Sequence, residues 1–63
     1  MIEKLIAFLR YNYDLMVSEL AAEQAIAKSR SMPTVTIKGR DASTGFPRSL
    51  VLNSPEILAA IDG

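Results

Sequence analysis

The stretch Thr34-Val35-Thr36-Ile37-Lys38-Gly39-Arg40-Asp41-Ala42-Ser43-Thr44-Gly45-Phe46-Pro47-Arg48-Ser49-Leu50-Val51-Leu52-Asn53 decides the architecture of this 63-residue chain. Residues 34–38 alternate polar and apolar side chains and are rich in β-branched types, the pattern of a half-buried strand. Asp41-Ala42-Ser43-Thr44-Gly45 has turn chemistry, with Gly45 free to take a positive φ without steric penalty. Residues 46–53 return as a second strand, with Leu50 and Leu52 on one face. Pro47 has no amide hydrogen to give a ladder, so it belongs at a strand start or a sheet edge. The pattern predicts a β-hairpin.

On both sides of the hairpin the period changes to 3.6. Upstream, Ile2, Leu5, Ile6, Leu9 and Tyr13 form one apolar stripe and predict a helix over 2–14. Glu3, Lys4, Ala7, Arg10 and Asp14 fall mostly on its other side. After a short break, Ser18 is placed to cap a second helix over 19–29, because its hydroxyl can accept from an unpaired first-turn amide. Glu19 in that turn suits the helix dipole, and Leu20, Ala21, Ala25 and Ile26 are the expected packing positions. Pro33 ends helical structure. Downstream, Ser54-Pro55-Glu56 reads as cap, first helical position and first-turn acid of a last helix that packs through Ile57, Leu58 and Ile61. The expected fold is α+β: two helices, a β-hairpin and a C-terminal helix, in one small domain over 1–63 without repeat or linker.

Composition narrows the chemistry. A chain this short buries only about 60% of the surface its unfolded form exposes, so its core is small. It has no cysteine and no histidine, which removes disulfides, thiolate metal sites and the usual general base at neutral pH. Seven acidic and seven basic residues cancel, whereas a nucleic-acid binder is expected to carry a basic excess. No apolar run approaches the ~20 residues that span a bilayer. Glu3, Lys4 and Arg10 break up the N-terminus, so it does not read as a signal peptide, and a soluble, cytoplasmic chain is expected.

Candidate reactive groups do not assemble into a site. Glu19 and Glu23 lie one helical turn apart and read as a solvated acidic face. Ser43 and Thr44 have no histidine to activate them. Gly39, Gly45 and Gly63 lack the spacing of a phosphate-cradling loop. Met16, Met32, Tyr11 and Tyr13 read as space-filling side chains. One basic cluster remains, in Lys38, Arg40 and Arg48 of the hairpin. It opens an alternative, a winged-helix nucleic-acid binder with the hairpin as its wing. The recognition helix would then be 19–29, whose Glu19 and Glu23 repel phosphate while Gln24 and Lys28 attract it. The chain is expected to be non-catalytic and to hold no metal and no cofactor of its own.

The hairpin also carries a resemblance. Lys38-Gly39-Arg40-Asp41-Ala42-Ser43-Thr44-Gly45-Phe46-Pro47-Arg48 resembles a segment of the MreB-type bacterial actin-like, rod shape-determining proteins. That segment runs Gly-Arg-Asp, two variable residues, Thr-Gly, one apolar residue, Pro, then Lys or Arg. Leu50-Val51-Leu52-Asn53-Ser54 and Glu56-Ile57-Leu58 are similar to the strand and helix that follow it, and Asn12-Tyr13 with Glu19, Ala22 and Glu23 is similar to the stretch before it. The resemblance covers about residues 3–61 and implies subdomain IIB, the small upper part of the second lobe of an actin-like ATPase.

The family binds ATP with Mg in the cleft between its lobes, forms membrane-associated filaments and organises cell-wall synthesis. The phosphate loops, the residues that position water and the membrane-binding segment lie outside this stretch. The resemblance therefore implies an ATPase parent, cytoplasmic or peripheral at the inner face of the membrane, and a piece without catalysis. Met1 falls just after the position of the family's Gly-Gly-Asp motif, so a trimmed piece is expected. Glu23 matches a family glutamate near the nucleoside, while Ile26 stands where the family has lysine and Lys28 lies on another helical face. The implied partners are the rest of the lobe and neighbouring filament subunits. Self-association of the isolated piece is expected from surfaces the lobe would cover, and nucleic acid is not.

Overall fold

The computed structural model describes residues 1–62 and contains α1 (Ile2–Tyr13), β1 (Leu15–Met16), α2 (Glu19–Ser29), β2 (Thr34–Asp41), β3 (Pro47–Asn53) and α3 (Ser54–Asp62). The strands form an antiparallel sheet in the order β1-β2-β3. Leu5 and Leu9 from α1, Leu15 from β1, Ile37 from β2 and Ile57 from α3 are fully buried, and Ala22, Ala25 and Ile26 join them from α2. The helices therefore cover one face of the sheet. The α+β expectation holds, with one strand more than the hairpin supplies.

That strand is β1. α1 ends at Asp14, whose φ of 54° is left-handed and whose amide donates back to the Arg10 carbonyl oxygen at 3.2 Å. Aspartate tolerates this conformation better than most non-glycine residues. The reversal sends Leu15 and Met16 alongside the end of β2, with Leu15 opposite Asp41 and Met16 opposite Arg40. Two residues are too few to show an alternation, so sequence reading sees only a break there.

Gly39 makes the crossing possible. A Cβ at this position would lie 2.3 Å from the Met16 carbonyl oxygen and 2.9 Å from Val17 Cγ1. Only a residue without a side chain lets the two backbones approach this closely. β2 accordingly continues three residues past Lys38, to Asp41.

On α2 the Ser18 hydroxyl accepts from the Ala21 amide at 3.1 Å, as its position predicts. The packing face agrees with expectation at Ala25 and Ile26 and differs at Leu20 and Ala21. Ala22, Ala25, Ile26 and Ser29 are buried, Ala21 is half-buried and Leu20 is 65% exposed. The true stripe starts at Ala22 and includes Ser29, which sequence reading treats as polar. Burial of Ser29 costs little because its hydroxyl donates to the Ile26 carbonyl oxygen at 2.6 Å.

The hairpin turn closes as its residue types require. Gly45 takes a φ of 78°, and its amide donates to the Asp41 carbonyl oxygen at 2.8 Å. Pro47 starts β3, and β3 lies at the sheet edge. Ser54 begins α3 and ties it to the loop before β2: its amide donates to the Pro33 carbonyl oxygen at 2.9 Å and its hydroxyl to that of Met32. Gly63, considered above for a phosphate loop, lies outside the described residues.

Candidate functional site

The three basic hairpin residues do not form one patch. β2 and β3 pair Lys38 with Ser49, Gly39 with Arg48 and Arg40 with Pro47. Opposed residues share a face of the sheet and neighbours along a strand do not. Arg48 therefore lies on the helix-covered face with Ile37 and Leu52, while Lys38 and Arg40 lie on the other.

Arg48 is occupied within the chain. Its Nη2 donates to the Tyr13 carbonyl oxygen at 2.6 Å, and its Nη1 to the Asp14 carbonyl oxygen and to Asp41 Oδ2, each at 3.1 Å. The guanidinium thus satisfies the Tyr13 carbonyl group at the end of α1, shares the Asp14 carbonyl group with the Ala42 amide, and places positive charge at that negative helix end. Asp41 completes the knot. Its carboxylate accepts from the amides of Thr44 at 3.0 Å and Ser43 at 2.9 Å. These two amides and then Arg48 hold its carboxyl below the usual carboxylate range. Asp14 joins from the other side, accepting from Arg10 and from the Ser43 hydroxyl, each at 2.7 Å, while its carbonyl oxygen accepts from Ala42 at 2.8 Å. Arg40 Nη1 donates to the Gly45 carbonyl oxygen at 2.9 Å, and Thr44 Oγ1 accepts from the Phe46 amide at 3.2 Å.

Each distinctive residue of the hairpin motif therefore has a structural task. Gly39 lets β1 pass, Arg40 and Thr44 hold turn backbone, Asp41 caps the turn, Gly45 supplies positive φ and Arg48 closes α1. The motif encodes this part of the fold. The Ser43 hydroxyl is engaged as a donor to the Asp14 carboxylate.

Glu19 and Glu23 are exposed on α2, as their helical spacing predicts. Ile26 is 4% exposed and packs in the core. The position that carries lysine in the resembled family is thus turned inward here. Lys28 is exposed and borders, with Gln24, Thr36 and Lys38, an open groove of about 320 Å³ between α2 and β2. A second open groove, of about 520 Å³, runs along Met16, Val17, Gly39, Arg40 and Pro47. A third concavity, of about 340 Å³, is bordered by Met1 and Arg30 and by Leu58, Ile61 and Asp62 of α3. Glu23 borders none of the three. Among the described residues no group of three or more His, Cys, Asp and Glu side chains is placed to hold a metal ion, and no helix is long and apolar enough to cross a membrane.

Another long-range polar contact, like those of Arg48 and Ser43, is not readable from sequence. The Tyr13 hydroxyl donates to the Glu56 carboxylate, joining the end of α1 to the start of α3 across 43 positions. The hydrogen bond raises the Tyr13 pKa, and desolvation and the Glu56 charge act in the same direction. Sequence periodicity identifies both helices but carries no signal for a pair so far apart.

No protein-family model and no curated protein matches the sequence. Solved structures do match. MreB5 of Spiroplasma citri bound to ADP superposes with a TM-score of 0.79 over 95% of this chain and 20% of its own, at 20% sequence identity. MreB5 of Spiroplasma citri bound to AMPPNP gives the same TM-score and coverage at 19% identity. At this identity the likeness is one of fold. The chain spans about a fifth of the length of the solved chains it matches, and it has the fold of one part of an MreB-type, actin-like protein.

Proposed function

We propose that the chain is the small upper subdomain of the second lobe of an actin-like cytoskeletal protein of the MreB type. The observation that carries this reading is the superposition on MreB5 over 95% of the chain. The hairpin motif supports it, since residues 38–48 are the ones that build the crossing, the turn and the clasp. In the whole protein, ATP and Mg bind between the lobes, filaments form along the inner face of the membrane, and the assembly shapes the cell wall. The phosphate-gripping and water-positioning groups lie outside this chain, whose own role is structural and non-catalytic. Its partners are the rest of the lobe and neighbouring subunits.

Within that protein Glu23 forms the chain's contribution to the nucleoside pocket. It is exposed on α2 and free of any structural task in the core. With Ile26 buried, no lysine assists it from the next helical turn. The contact is therefore a single charge-assisted hydrogen bond, which contributes about 1.5–3 kcal/mol. Nothing favours the winged-helix alternative: the sheet separates Arg48 from Lys38 and Arg40.

A chimera tests the proposal. The matching fifth of Spiroplasma citri MreB5 is replaced by this chain, and ADP binding is measured by calorimetry. A folded chimera that binds ADP, and loses about tenfold in affinity on Glu23→Ala, is expected. A folded chimera without ADP affinity would sink the reading.

A further inference from the structure

We infer that β3 is a self-pairing edge, through which two copies of this chain join their sheets antiparallel about Leu50. The inference is independent of the actin-like reading. β3 lies at the end of the strand order and has one strand neighbour, β2. On the opposite side of the sheet β1 pairs with β2 only at Arg40 and Asp41 and α2 lies against β2, so among the described residues β3 is the strand left unpaired along the whole of its outer side. A strand edge presents a row of backbone donors and acceptors that another strand can pair.

Natural edges are usually blocked by lysine, a bulge or proline. Here proline stands only at the first position of β3, and Ser49-Leu50-Val51-Leu52 carries no charge. Arg48, the one charged residue of the strand, turns its guanidinium to Tyr13, Asp14 and Asp41 and away from the edge. The chain's formal net charge is zero, so two copies do not repel at long range.

The strand is also self-complementary. A two-fold axis at Leu50 opposes Leu50 to its own copy, Ser49 to Val51, Arg48 to Leu52 and Pro47 to Asn53. Each opposed pair lies on one face of the joined sheet, as pleating demands, and none sets like charges together. Val51 is 62% exposed in the single chain, and the pairing covers part of it. A second copy is thus the occupant that this edge fits.

Sedimentation equilibrium from micromolar to millimolar concentration tests the inference, with circular dichroism as the check on folding. The native chain is expected to reach dimer mass at the upper end. Ser49→Glu with Val51→Glu sets two acidic pairs face to face across the axis, and dimer mass should be lost. Ser49→Glu with Val51→Lys makes those pairs attractive in the same register, and dimer mass should return. Both variants place the acid opposite Lys38 within the chain, which favours folding of the hairpin. A native chain that stays monomeric at millimolar concentration overturns the inference, and so does a folded double-glutamate variant that dimerises like the native chain. Should that variant unfold, amide exchange of the native chain decides: protection of β3 must rise with concentration, and unchanged protection overturns the pairing.

Discussion

Arg48 reaches across 35 positions to donate to the Tyr13 carbonyl oxygen at 2.6 Å, and so fastens the hairpin to the end of α1. A helix end, a turn and an edge strand meet at this one side chain. Arg48→Ala leaves half-buried carbonyl groups and a carboxylate short of a donor. It is expected to destabilise the chain by about 2 kcal/mol, read from the urea midpoint. Arg48→Lys should recover only part of the loss, because a single ammonium cannot reproduce the planar fork.

Gly39→Ala should loosen β1 before anything else. The added methyl group meets a backbone oxygen, which cannot swing aside as a side chain would. A cost of about 1–3 kcal/mol is expected, as for other overpacked sites. Faster amide exchange where β1 pairs with β2, at residues 40–42, with β3 little changed, would locate the effect. Gly45→Ala acts through the backbone instead, at about 1–2 kcal/mol for a left-handed position with open space around it.

Acid should weaken the fold through Asp41. Its folded pKa is depressed, so its contribution is present above the unfolded value near ~3.9 and is lost as pH falls through the folded value. Urea midpoints followed from neutral pH downward should drop in that window, and Asp41→Asn should flatten the slope. At the alkaline end the sign reverses. The Tyr13 pKa is raised, so its contribution is complete below the unfolded value near ~10 and is lost as pH rises through the folded one.

Ile26→Lys separates a core position from a ligand-facing one. With Ile26 buried, the substitution should cost about 3 kcal/mol or more, as an unpaired charge forced into a core does. Leu20→Lys, on the exposed side of the same helix, should stay within about 0.5 kcal/mol of the native chain. Thermal melts of the two variants make the comparison directly.

An amide-correlation NMR spectrum of the isolated chain is expected to show dispersed peaks that do not move with a short DNA duplex. Shifts centred on Lys38 and Arg40 would restore the nucleic-acid reading. Shifts with Mg-ATP around Glu23 would show that part of a nucleoside pocket persists in the piece alone.

Much of this architecture was legible because its signals are local. The stripe of α1, the Ser18 cap, the alternation Val35-Ile37 and the Gly45 turn each need only a few consecutive residues. What escaped depends on distant partners. β1 exists because Gly39 leaves room for it, and neither stretch announces the other. On α2 the spacing finds Ala25 and Ile26 but takes Leu20 and Ala21 in place of Ala22 and Ser29, since neighbouring alanines look alike and a buried serine reads as polar. The basic cluster was an error of the same origin. Residues close in sequence were grouped, and the two-residue period of the sheet puts Arg48 on the opposite side. Of the candidate site, both the exposure of Glu23 and the inward turn of Ile26 follow from helical spacing.

Met1 and Asp62 border the same concavity beside Arg30, so the chain leaves its fold close to where it enters. A unit built this way can be spliced into a single loop of a host domain without stretching that loop, because the gap it must bridge is short. In such an arrangement two backbone connections starting side by side would carry the whole attachment. Such a lobe can tilt as one body against its host while its own core, centred on Leu5, Leu9, Ile37 and Ile57, stays undisturbed.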